Sequence, residues 1–181
     1  MTTDKLPPMT EDTGTSGVNE LVSEEFRVPV SPEDLSSIDM LNADQKHAYD
    51  RVVNSVRRGD KSVFFIDGPG GSGETFLYRA ILAKLRSERR IAIATSTSGI
   101  VATMMPGGRT ARSRFKIPVS ATSTSTCNIV AEDPLADFNR KADLIIWDEA
   151  TMANRYAFEA LDRTLRDLTK VELPFGGKIL L

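Results

Sequence analysis

The sequence predicts an α/β fold: a parallel sheet with helices on both faces, three layers in all. Two observations carry this. Short, continuous apolar runs alternate with longer segments whose apolar residues recur every three to four positions. The runs also lack the every-other-residue polarity of a half-exposed strand, as expected for strands buried on both faces. Strand and helix in strict alternation argue for parallel pairing, because a crossover helix brings each strand back in the same direction.

The elements follow in chain order. Residues 1–37 are rich in Pro, Ser, Thr, Glu and Gly, with eight acids and two bases, and show no sustained periodicity. They are expected to form a disordered acidic leader. Order is expected from about Leu41, so residues 38–181 make up the domain. Asn42 with Gln45 three residues on resembles a helix N-terminal capping box. Tyr49, Val52, Val53 and Val56 then mark one helix face, and Gly59-Asp60 ends the helix. Val63-Phe64-Phe65-Ile66 is the first buried strand. After the glycine-rich turn 68–73, Phe76, Leu77, Ala80, Ile81 and Leu85 mark a second helix. Ile91-Ala92-Ile93-Ala94 is the next strand. A short helix over 100–105 is stopped by Pro106-Gly107-Gly108. Residues 106–133, rich in Arg, Ser and Thr, read as mostly loop. Leu144-Ile145-Ile146-Trp147 is the third strand, and residues 157–168 a helix with Phe158, Leu161, Leu165 and Leu168 on one face. Residues 178–181 start a fourth strand. A buried strand is an unusual finish for a domain, so a product truncated at the C-terminus, with an open sheet edge at Leu181, is expected.

Bulk properties exclude several function classes. A chain of 181 residues can bury one real core. No apolar run approaches the roughly 20 residues that span a bilayer, so no membrane partner is expected. The N-terminus lacks the basic and apolar regions of a secretory signal. One cysteine, Cys127, precludes an internal disulfide and a cysteine zinc site, and is read as a small half-buried residue. One histidine, His47, on a helix surface, precludes a His-based triad or metal cluster. The net charge of −2 conceals an acidic first segment and a remainder with 21 bases against 17 acids. That asymmetry permits a nucleic-acid partner.

The segment Gly68-Pro69-Gly70-Gly71-Ser72-Gly73-Glu74-Thr75 follows a predicted strand and opens a predicted helix. This is the setting of a phosphate-binding loop of the pattern G-x-x-x-x-G-K-[ST]. Glycines let backbone N–H groups approach phosphates, and the helix N-terminus adds partial positive charge. Thr75 offers a hydroxyl to Mg²⁺. Glu74 stands where the pattern has lysine. A unit-charge pair about 4 Å apart at an effective dielectric of about 20 is worth roughly 4 kcal/mol. A residual of about 3 kcal/mol after screening is still about a hundredfold in affinity or rate. Glutamate therefore impairs an otherwise intact nucleotide loop.

About 70 residues later, the apolar run 144–147 ends in Asp148-Glu149. Carboxyl ends of parallel strands face the ligand crevice. An Asp there can hold Mg²⁺, and the adjacent Glu can orient and deprotonate an attacking water.

Together these residues resemble the petite integration frequency (PIF) family of DNA helicases, RecD-like members of helicase superfamily one, and especially their plant and transposon-borne relatives. The matching stretches are 41–45, 68–77, Thr97-Ser98-Gly99-Ile100-Val101-Ala102, residues 106–118, Ile145-Ile146-Trp147-Asp148-Glu149-Ala150, and 158–163. The Gly107–Pro118 stretch is the most specific. The resemblance implies a RecA-like P-loop NTPase fold and an incomplete first motor domain over 38–181. It implies ATP as substrate, Mg²⁺ as cofactor and single-stranded DNA as partner, with roles in DNA repair, recombination and genome maintenance in nucleus or mitochondrion. By resemblance, Gln45 reads adenine, Thr75 and Asp148 hold Mg²⁺, and Glu149 is the catalytic base. Thr97, Ser98 and Gly99 lie near single-stranded DNA, and Arg109, Arg112, Arg114 and Lys116 add phosphate contacts.

Departures accompany the likeness. Besides Glu74, Arg112 stands where the family usually has histidine, and Thr151 where proline commonly follows Asp-Glu-Ala. The glycine–aspartate–glutamine motif and the second motor domain of the family lie beyond these residues. Three readings stay open: an ATP-dependent helicase that needs further sequence, a non-hydrolysing nucleotide- or DNA-binding remnant, and a decayed gene product.

Overall fold

The computed structural model of the chain describes residues 16–68 and 73–181, with side chains from residue 20 on. The predicted loop positions Pro69, Gly70, Gly71 and Ser72, and the expected disorder of residues 1–15, therefore lie outside the described residues.

Four strands form one sheet in the order β2-β1-β3-β4: β1 Ala92–Ser96, β2 Arg109–Thr110, β3 Leu144–Asp148 and β4 Ile179–Leu180. Every pairing is parallel. Successive strand residues point to opposite faces, and each face meets its own helices. Ala92, Ala94, Leu144 and Ile146 join the core under α3 (Ala43–Arg58) and α4 (Glu74–Ser87), with Val52, Leu77, Ile81 and Leu85. Ile93, Ile145 and Trp147 join the second core, with Phe115 of α6 (Ala111–Phe115), Phe138 of α7 (Pro134–Lys141), and Leu161 and Leu165 of α8 (Arg155–Thr169). The three-layer α/β expectation holds. Helix α5 spans Gly99–Met104.

Local chemistry sets the helix ends. The capping box of α3 is complete: the Gln45 N–H donates to Asn42 Oδ1 at 2.9 Å, and the Asn42 N–H donates to Gln45 Oε1 at 3.1 Å. Gly59, left-handed at φ 71, stops α3. His47 is exposed on this helix, as expected. Cys127 is more buried than expected, and burial raises its thiol pKa to about 11, which makes it an inert packing residue.

Three expectations are corrected. Residues 16–37 are not disordered: they carry α1 (Ser16–Arg27), α2 (Pro32–Ser36) and a following 3₁₀ turn. Glu25 and Asp34 are buried against arginines of α4, a contact that composition cannot reveal. The stretch 63–66 is not buried on both faces. It makes a single parallel bridge, Val63 to Leu180, while Val63 is 50% and Phe65 69% exposed. It occupies the outermost position of the sheet, and only Phe64 and Ile66 pack into a core. Leu181 is correspondingly not an open edge. Its N–H donates to the Ile145 carbonyl and its carbonyl accepts from the Trp147 N–H. The segment 106–133 is mostly loop, as expected, with β2 and α6 at its start, where Thr110 caps α6 by accepting from the Ser113 N–H. Helix α7 was not anticipated, although Asp133-Pro134 is a start signal.

Candidate functional site

The carboxyl ends of β1, β2 and β3 lie along one edge of the parallel sheet. This edge is where crevices form in open α/β sheets. A cleft of about 570 Å³ there is lined by Asp67, Gly68, Glu74, Tyr78, Trp147, Asp148, Glu149 and Met152, among others. The loop end, the helix start and the Asp-Glu pair, separate in sequence, thus share one cleft. The described lining includes four carboxylates and no lysine, arginine or histidine.

Helix α4 begins at Glu74, so Glu74 and Thr75 occupy its first two positions, half-buried. Gly73 before them is left-handed at φ 80, and a Cβ there would lie 2.7 Å from Gln45 Nε2. Gln45 therefore uses its oxygen to cap α3 and sets its nitrogen against the end of the phosphate loop. Position 73 accommodates that approach because it has no side chain.

Asp148 closes β3 and is buried, accepting from the Glu149 N–H at 2.7 Å. Burial raises its pKa, and the negative charges of Glu149 and Glu74 push the same way. Glu149 is left-handed at φ 55, an uncommon conformation for a non-glycine residue. Its Oε2 accepts from Ser96 Oγ at 3.0 Å and from the Ser98 N–H at 3.1 Å. Hydrogen bonds from Ser98, with Ser96 adding, hold its pKa below the usual carboxylate value. Two neighbouring acids are thus pushed in opposite directions.

Thr97 reinforces this junction. Its hydroxyl donates to the Glu149 carbonyl at 2.8 Å and accepts from Trp147 Nε1 at 3.0 Å, while its N–H donates to the Asp148 carbonyl. Ser98 caps α5 by accepting from the Val101 N–H. Thr97 and Ser98 therefore turn toward the acidic pair, and Gly99 is the exposed member of the trio. The part played by Ser96 and Trp147 was missed in the sequence. A hydroxyl at a strand end is a common feature, and only the β1–β3 register, Ser96 beside Asp148, makes it informative.

Arg109, Arg112 and Lys116 are exposed on β2, α6 and the residue after it. Thr110 pairs with Ser96, which puts this segment beside the Thr97–Gly99 turn. Arg114 differs. Its guanidinium lies over the Phe138 ring at 5.7 Å and donates to the Gly107 carbonyl, and burial lowers its pKa. It faces the fold, not solvent. For metal, Thr75 and Asp148 offer hard oxygen donors of the kind Mg²⁺ accepts. Among the described residues no cluster of three or more His, Cys, Asp or Glu forms a closed metal cage.

Comparison with known proteins bears on the family and the fold. The ATP-dependent DNA helicase PIF4 of Trypanosoma brucei brucei is 27% identical over 168 residues, which cover 90% of this chain and 20% of that protein. The ATP-dependent DNA helicase PIF1 of Danio rerio is 32% identical over 128 residues, 70% of this chain and 19% of that one. Unliganded Pif1 from a Bacteroides species superposes with a TM-score of 0.58 at 26% identity, over 77% of this chain and 30% of that one. The Bacteroides Pif1 complex with ADP-AlF3 and single-stranded DNA gives a TM-score of 0.62 at 25% identity, over 77% of this chain and 31% of that one. The chain thus spans about a fifth of the length of these curated relatives. The pattern of the PIF1-like helicases matches residues 40–181, and the chain belongs to that family.

Proposed function

We propose that this chain is the nucleotide-binding part of the first motor domain of an ATP-dependent DNA helicase, acting on single-stranded DNA in repair and recombination, in the nucleus or the mitochondrion. The observation that carries the reading is the hydrogen-bonded junction of Glu149 with Ser96 and Ser98. It joins the acid suited to activate water to the turn that leads into the basic 109–116 segment.

The residues have distinct tasks. The Gln45 amide reads the adenine edge from beside Gly73. Thr75 and Asp148 hold Mg²⁺, which would offset phosphate charge when ATP binds. Glu149, kept ionised by its hydroxyl and amide donors, accepts the proton of the attacking water. While Ser96 and Ser98 hold it, its basicity is low. A shift of the Thr97–Gly99 turn on DNA binding would withdraw the Ser98 donor and raise that basicity, and this links hydrolysis to DNA. Arg109, Arg112 and Lys116 supply phosphate contacts.

Glu74 opposes this chemistry. With Asp67, Asp148 and Glu149 it makes a cleft that repels a polyphosphate. A second reading, a module that binds DNA without turnover, is favoured by that charge. Steady-state ATP hydrolysis with and without single-stranded DNA tests the pair. The helicase reading expects DNA-stimulated turnover in the Glu74→Lys variant, lost on adding Glu149→Ala. Turnover equal to that control defeats it for this chain. The binding reading expects salt-sensitive DNA binding that disappears when Arg109, Arg112 and Lys116 become alanine. Self-association, where it occurs, uses the outer edge at 62–66.

A further inference from the structure

Two arginines of α4, Arg79 and Arg86, lie seven residues apart. At 3.6 residues per turn that spacing puts both on one helix face. Each makes the same pair of contacts. Arg79 donates to both carboxylate oxygens of Asp34, at 2.9 and 3.2 Å, and to the Met104 carbonyl at 3.2 Å. Arg86 donates to Glu25 Oε1 at 2.8 Å, to the Pro106 carbonyl at 2.7 Å and to the Ala92 carbonyl at 3.2 Å. One side of this ladder is the acidic N-terminal segment. The other is the turn that leaves α5 and enters the 107–116 segment.

The lower rung is deeply buried, with both side chains 4% exposed. Desolvation raises the Glu25 pKa despite Arg86, so this pair is costly to bury and serves geometry more than stability. Packing follows the same line. Gly107 is left-handed at φ 70, and a Cβ there would come within 2.9 Å of Val28 and 3.3 Å of Arg86 Nη2. Arg89 stacks over the Phe26 ring at 4.5 Å and ties α1 to the turn that follows α4. Arg114 sits against Gly107 and Phe138 with its Nε buried and lacking an acceptor among the described residues, and Glu24 and Glu25 supply the negative field around it.

We propose that Arg79 and Arg86 are positioning residues that fix the Met104–Lys116 segment to the helix that begins at the phosphate loop. Glu25 and Asp34 are their counter-charges, so the acidic segment is part of the machinery that presents the basic one. The DNA consequence rests on the reading that Arg109, Arg112 and Lys116 meet single-stranded DNA; the geometric claim does not.

Hydrogen exchange of the 181-residue chain, measured by mass spectrometry, separates the two. Asp34→Asn and Glu25→Gln weaken each rung without leaving a bare cavity. Arg79→Lys keeps a cation for Asp34 but loses the fork that also reaches Met104. In all three variants, amides of 104–116 exchange about tenfold faster; those of β1 and β3 keep their rates in Asp34→Asn and Arg79→Lys, and in Glu25→Gln they accelerate less than those of 104–116. Binding of a fluorescein-labelled thymidine oligonucleotide weakens several-fold, at an almost unchanged melting temperature in Asp34→Asn and Arg79→Lys, whose rung is partly exposed, and with a lowered melting temperature in Glu25→Gln, which leaves Arg86 buried without its counter-charge. Unchanged exchange at 104–116, or acceleration spread equally over β1 and β3, overturns the ladder. If the parent chain binds no oligonucleotide, the DNA reading fails, and exchange alone still decides the ladder.

Discussion

Position 74 shows how far one side chain can change a site. Glu74 heads α4 in a cleft already holding Asp67, Asp148 and Glu149. Replacing it with lysine changes the local charge by two units and gives the phosphates a partner. Glu74→Lys should tighten Mg²⁺-ATP binding about a hundredfold, equivalent to about 3 kcal/mol, read by titration calorimetry. Asp148 gives a pH-dependent counterpart. Its pKa is raised in the folded chain, so the fold binds that proton more tightly than the unfolded chain does. Its ionisation subtracts stability as pH rises above the ordinary 3.8. Asp148→Asn should therefore raise the melting temperature at pH 7 by on the order of 2–4 °C, with the gain fading as pH falls toward 3.8. Glu149 has the opposite sign: its stabilising hydrogen bonds operate above the ordinary carboxylate range and are lost in acid. All these acids are legible in the sequence as residues. Their opposed shifts are not, because burial and hydrogen-bond donors come from β1 and from the turn after it.

Helices α3 and α4 show how an element can serve both fold and site. Asn42 and Gln45 complete the capping box, and Gln45 also abuts Gly73. Asn42→Ala should cost about 1 kcal/mol of stability and leave nucleotide affinity unchanged. Gln45→Ala should cost a similar amount and weaken adenine nucleotide binding as well. Calorimetry of each variant with ADP distinguishes the two roles, and equal affinities would remove Gln45 from the nucleotide site. The cap was visible in the sequence because it is local, three residues from end to end. The ladder on α4 was not. Arg79 and Arg86 look like ordinary exposed cations of an amphipathic helix until Asp34 and Glu25, 45 and 61 residues away, arrive beside them. For the same reason residues 16–37 read as a leader: Leu21, Val22 and Phe26 among their apolar side chains pack onto a core built by later residues.

At the scale of the molecule the outer edge of the sheet is the exposed feature. Val63 and Phe65 are exposed on the segment 62–66, whose pairing with Leu180 leaves its far side unmatched among the described residues. Charged residues on such edges oppose strand addition. Phe65→Glu should lower self-association in sedimentation velocity at high concentration without lowering the melting temperature, since Phe65 is 69% exposed. An unchanged sedimentation profile in a self-associating parent would clear this edge. By itself the sequence determined the α/β alternation, the phosphate loop with its altered residue and the Asp-Glu strand end. Each rests on a short-range pattern: apolar periodicity, glycine spacing, or a carboxylate after an apolar run. Only the tertiary structure decided which strand is outermost, that Arg114 faces the fold while its neighbours face solvent, and that the acidic N-terminal segment grips α4. Those outcomes depend on strand order and on burial by distant residues, and neither is written in the spacing of any one segment.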